Sequence, residues 1–200
     1  MQPIVTEPSQ PLAAKTSKRI PGEAGVWIFI LGDICVFAVF FTYYLVQRSK
    51  HTDLFDLSQS TLNKNFGAVN TVFLLISSLF VVLAVRAMRS TERLLAQRLI
   101  SGAFLCGVAF IVVKVFEYSE RIAAHQIPTT NNFYLLYFVL TGLHLFHLIL
   151  GLGVLTALVF LARKPDLSQH QWAFFEGGAC FWHMVDLLWL VLFPLIFLVR

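Results

Sequence analysis

Charge is scarce in this sequence. Only 13 % of its 200 residues are Asp, Glu, Lys or Arg, whereas 58 % are apolar. A soluble chain of this length lacks the polar residues to cover so much apolar surface. Lipid is therefore the expected solvent for most of it. Cysteine is sparse too. Cys35, Cys106 and Cys180 are odd in number, widely spaced and set in apolar runs. No CxxC pair or Cys/His metal spacing occurs, which leaves them as small packing residues. Also missing are a Walker loop, a GxGxxG after a strand and a GxSxG elbow. No polar stretch is long enough for a soluble substrate domain. The net charge of +4 is not gathered into a basic run interleaved with stacking aromatics, so nucleic acid is not an expected partner.

Five apolar segments are present. They run from Val26 to Val46, Ala68 to Val85, Leu99 to Phe116, Phe133 to Ala162 and Phe174 to Val199. Each is near or above the ~20 residues that a helix needs to cross a bilayer core. The expected fold is an all-α membrane protein, a bundle of five transmembrane helices. Residues 1–20 are rich in Pro, Gln, Ser, Thr and Lys and have no apolar h-region. They read as a disordered cytoplasmic tail rather than a signal peptide, with residues 21–200 as a single membrane domain. Lys15, Lys18, Arg19, Arg86, Arg89, Arg93, Arg98, Arg163 and Lys164 fall on one side, and Arg48, Lys50, Lys64, Arg121 and Arg200 on the other. This bias places the N-terminus in the cytoplasm and the C-terminus in the periplasm.

The informative residues are those that lipid should exclude. They are Asp33 in the first span, Lys114 and Glu117 in the third, His144 and His147 in the fourth, and Glu176, His183 and Asp186 in the fifth. An ionisable residue at membrane depth faces the bundle interior and finds a partner. Lys114 and Glu117 are i, i+3, His144 and His147 share a face with Gly151, and Glu176 and His183 are i, i+7. Small residues beside these stripes mark helix–helix seams. Three readings fit. HxxH with His183 suggests haem ligation in a membrane electron carrier. Asp33, Glu117, His183 and Asp186 suggest a proton or ion path, as in a proton-coupled transporter. The plainest reading is a hydrogen-bonded network that fixes helix register. Counting ~1.5 Å per residue along each span gives two polar layers. One is Asp33 with His183 or Asp186, and the other is Glu117 with His144 or His147.

Four stretches carry a further signal: PGEAGVWIFILGDICVFAVFF (21–41), KVFEY (114–118), TGLHLFHLILG (141–151) and FWHMVDLLWLVLFP (181–194). In this order and spacing the sequence resembles subunit III of haem–copper oxidases, the cytochrome c and quinol oxidases. The opening PGEAGVW and the stretch GAVNTVFLLISS (67–78) look most like the NorE-type branch that accompanies nitric oxide reductase in denitrification. Bacterial quinol oxidases are the next likeness. The resemblance implies a bacterial inner-membrane protein beside a haem–copper catalytic subunit and membrane lipids. It implies support of that subunit's stability, assembly or proton uptake in respiratory electron transport. It also implies that Asp33, Lys114, Glu117, His144, His147, Glu176, His183 and Asp186 are structural or proton-related positions. No catalytic, cofactor-binding or metal residue is expected, and no cofactor. The chain lacks two extra N-terminal spans found in the family's long form, so the lipid cleft they frame is in doubt here.

Overall fold

In lipid, backbone N–H and C=O groups must bond within their own segment, so apolar runs become helices. The computed structural model describes residues 24–199. The tail expected at residues 1–20 lies outside the described residues. Six helices form: α1 Ala24–Lys50, α2 Thr52–Ser60, α3 Lys64–Arg89, α4 Arg93–Ala123, α5 Asn132–Ala162 and α6 Gln169–Phe197. Among the described residues there is no strand. All but α2 are long and apolar enough to cross a membrane. The expected all-α, five-span architecture is therefore the one observed.

The helix ends follow local chemistry. The Asn63 side chain accepts from the Asn65 N–H at 3.1 Å at the start of α3, and Asn131 accepts from the Tyr134 N–H at 3.0 Å at the start of α5. Ser168 and Gln171 form a reciprocal capping box on α6. Such caps satisfy the otherwise unpaired first-turn donors. Arg48 and Lys50 close α1, and Arg86 and Arg89 close α3, where cations complement the helix dipole. The helices outrun the hydropathy segments because polar residues at the boundary go on hydrogen-bonding as helix. α5 matches the fourth apolar segment to within a residue, and α6 outruns the fifth only at its start, ending at Phe197.

α6 lies at the centre of the bundle and packs against α5, α3 and α1, while α3 and α4 form the closest antiparallel pair. Trp182 and Trp189 of α6 are fully buried. Gly107 of α4 and Gly151 of α5 make room for the Trp182 ring, since a Cβ at either would fall within 2.7–2.9 Å of it. Trp182 Nε1–H donates to Ser77 Oγ at 3.0 Å, and Ser77 Oγ donates to the Ala103 carbonyl at 3.0 Å. One indole thus ties α6 to α3, and through Ser77 to α4. α1 is the least buried span.

The connection after α1 contains helix α2. A nine-residue helix has little stability alone. What holds it is tertiary. Phe55 is buried against Tyr44 and Phe133, with ring centroids 5.4 and 5.5 Å away. Gln59 donates to the Ile196 carbonyl at 3.0 Å. Arg48 pairs with Asp56 at 2.9 Å and donates to the Val199 carbonyl. Asn131 donates to Ser58 at 3.0 Å. α2 therefore fastens the ends of α1, α5 and α6 together.

Candidate functional site

The polar residues inside the spans gather at three seams. The first lies between α4 and α5. α4 puts Lys114 and Glu117 on its buried face, where both side chains are almost wholly removed from solvent. Lys114 Nζ donates to Glu117 Oε2 at 3.0 Å and to the Tyr137 hydroxyl at 3.4 Å. Tyr137 in turn donates to Glu117 Oε1. The Thr141 hydroxyl donates to the Tyr137 carbonyl at 2.6 Å, and so accepts from the Tyr118 hydroxyl, also at 2.6 Å. Four rings surround the ammonium, with the centroids of Tyr137, Trp189, Tyr118 and Phe197 at 5.0–5.7 Å. Their negative faces complement a cation out of water. The cluster is closed: each charge meets its opposite and each hydroxyl has a partner.

The second seam joins α1 to α5. His147 Nε2 lies 3.4 Å from Asp33 Oδ2. Its Nδ1 meets the Leu143 carbonyl at 2.8 Å. A carbonyl only accepts, so Nδ1 carries the hydrogen. Phe37 packs edge-on against this imidazole, with centroids 5.4 Å apart.

The third seam joins α3 to α6. Ser78 Oγ and His183 Nδ1 are 2.8 Å apart, and Asp186 Oδ2 lies 3.8 Å from the same nitrogen. Hydroxyl and carboxylate crowd one side of the ring, whereas a nucleophilic relay needs them on opposite nitrogens. At the boundary of this seam Arg89 pairs with Glu176 at 2.9 Å.

The arrangement corrects the expected layers. Asp33 meets His147 rather than His183 or Asp186, and Glu117 meets Lys114 and Tyr137 rather than His144 or His147. The helix ends are not level. Asp33 lies nine residues, ~14 Å, into α1, whereas His147 is fifteen residues, ~22 Å, from the end of α5 on that side. Depth counted from span ends also says nothing about which way a side chain points. His144 is fully buried between Phe110 and Trp189, with ring centroids 5.6 and 5.2 Å away. Among the described residues neither of its nitrogens has a hydrogen-bond partner.

The three histidines thus have separate surroundings: Phe110 and Trp189 for His144, Asp33 and the Leu143 carbonyl for His147, and Ser78 with Asp186 for His183. Among the described residues no three His, Cys, Asp or Glu side chains are grouped as a metal site. Sequence reasoning missed Tyr137, Ser77, Ser78 and the two tryptophans. A signal existed: Tyr137, Thr141 and His144 recur at i, i+4 and i+7 on one face of an apolar helix, the spacing of a seam.

Comparison with known proteins bears on the whole described bundle. A family model described as Cytochrome c oxidase subunit III matches residues 15–199. Cytochrome bo(3) ubiquinol oxidase subunit 3 of Buchnera aphidicola is 26 % identical over 174 residues, 87 % of this chain and 84 % of that one. Cytochrome c oxidase subunit 3 of Synechocystis is 27 % identical over 214 aligned positions, 99 % of this chain and 91 % of that one. A protein of Aeropyrum pernix named heme-copper oxidase subunit I+III is 26 % identical over 184 residues, 88 % of this chain and 22 % of that one.

Proposed function

The chain belongs to the cytochrome c oxidase subunit III family, and from that premise we propose that it is an accessory subunit of a haem–copper respiratory complex, with no redox centre of its own. One observation carries the reading. The ionisable side chains inside the spans are turned on one another at packed helix seams, Lys114 to Glu117 within α4 and His147 of α5 to Asp33 of α1. Such pairs set helix register and hold a shape for a neighbour to bind. The partner is the catalytic subunit; the name subunit I+III given to the Aeropyrum relative supports their adjacency. The names of the relatives favour a terminal oxidase. Nitric oxide reductase is the narrower alternative, supported by PGEAGVW and GAVNTVFLLISS. The Asp33–His147 pair is the part we assign to proton support.

The chain is a multi-pass membrane protein of bacterial type. We place it in the cytoplasmic membrane with the α2 end in the periplasm, because Arg86, Arg89, Arg93, Arg163 and Lys164 gather at the opposite end. Removing this chain from cells tests its supporting role. The membrane content or turnover of the haem–copper catalytic subunit falls and returns on complementation. Unchanged content and unchanged turnover would overturn the proposal.

A further inference from the structure

His144 of α5 is fully buried, and neither of its ring nitrogens has a hydrogen-bond partner among the described residues. Its neighbours are rings, Phe110 of α4 at 5.6 Å and Trp189 of α6 at 5.2 Å between centroids. A neutral imidazole carries one N–H and one lone pair. The N–H can rest on the negative face of an aromatic ring, a weak acceptor. The lone pair needs a donor. Phe110 has none, and the Trp189 Nε1–H is already given to Thr71 at 3.1 Å.

A spare donor stands nearby. Lys114 lies one turn after Phe110 on the same buried face of α4. Its ammonium carries three hydrogens. One goes to Glu117 Oε2 at 3.0 Å and one to the Tyr137 hydroxyl at 3.4 Å, with no third acceptor among the described residues. The Trp189 ring borders both groups, its centroid 5.2 Å from Lys114 Nζ and 5.2 Å from that of the imidazole. We infer that Lys114 and His144 together hold an internal water molecule beside Trp189. The water accepts the third hydrogen of the ammonium and donates to the imidazole lone pair. Buried polar groups are costly without partners, and enclosed water is their usual partner where side chains do not meet. Enclosure sets the class of ligand. Lys114 is 1 % exposed and His144 0 %, so nothing much larger than water has an entry. A metal cation would be repelled by the ammonium at this depth. The bridge joins α4 to α5 a second time, two turns along α5 from Tyr137. It is a property of this chain's own core and stands whichever catalytic subunit is the partner.

Radiolytic hydroxyl-radical footprinting of the full-length protein in detergent tests the inference. Ionising radiation splits bound water as well as bulk water, and the radical attacks the nearest side chain. Phe110 is as fully buried as Phe133 and Phe175, so bulk radicals reach none of the three. Phe110 is expected to be oxidised several-fold faster than the other two, and this comparison needs no variant. His144→Phe, which removes the acceptor, should bring Phe110 down to their level. His144→Gln, which keeps an acceptor, should retain most of the labelling. Equal labelling of the three phenylalanines in the wild type, or undiminished labelling of Phe110 in His144→Phe, would each overturn the inference.

Discussion

His147 of α5 faces Asp33 of α1 across 3.4 Å, with its other ring nitrogen already committed to the Leu143 carbonyl. This is a polar tie on the most loosely packed span. Replacing Asp33 by Leu strands the imidazole, and replacing His147 by Leu strands the carboxylate. Each single change is expected to lower stability by ~1–2 kcal/mol, the range of interhelical polar contacts in membranes. The double change Asp33→Leu/His147→Leu should cost less than the sum, since no unpaired polar group remains. Thermal unfolding in mild detergent measures this coupling, and strict additivity would show that the pair does not interact.

Lys114 and Glu117 should couple more strongly. Both are buried, and losing one leaves the other's charge without its counter-ion. Lys114→Met or Glu117→Gln alone is expected to cost ~3–5 kcal/mol, whereas the two together recover a large part of the loss. Tyr137→Phe removes a hydroxyl bonded to a charged group and should cost ~1.5–3 kcal/mol. A double variant as unstable as the sum of the singles would contradict the pairing.

Gly107 and Gly151 should tolerate no side chain. Their added methyl groups would press on a Trp182 ring that its bond to Ser77 keeps from swinging away. Gly107→Ala and Gly151→Ala are expected to destabilise by ~1–3 kcal/mol. At Gly142 a Cβ meets nothing within 4 Å. Gly142→Ala should therefore be neutral or stabilising by up to ~1 kcal/mol. Equal effects at the three positions would argue against the close packing around Trp182.

His183→Leu removes the partner of both Ser78 and the buried Asp186. It should lower the melting temperature more than Leu187→Ala, which trims an exposed side chain on the same helix. The reverse order would mean that this seam contributes nothing to the fold.

What the sequence revealed and what it hid divide along physical lines. The five spans were legible because lipid leaves an apolar run of that length no alternative to helix. That Lys114 and Glu117 share one face of α4 was legible from their i, i+3 spacing, although Glu117 was expected to meet a histidine of α5 instead. The cross-helix partners were not. His147 turns toward α1 and His183 toward Ser78, because rotation about each helix axis is set by packing around Trp182 and Trp189, which no count along a single chain reports. α2 was hidden for a related reason. Its stability comes from Phe55 between Tyr44 and Phe133 and from carbonyls at the end of α6, all remote in sequence.

The accessory-subunit reading is tested most directly by what the chain carries with it out of the membrane. Tagged protein is captured from respiring cells in gentle detergent, and the eluate is examined for its partner subunits and its haem absorbance. A haem–copper catalytic subunit should co-elute near equal stoichiometry. The absorbance should stay with that subunit when the two are separated, leaving this chain colourless. A chain that elutes without any haem–copper subunit, or that keeps its own haem band after separation, would contradict the account.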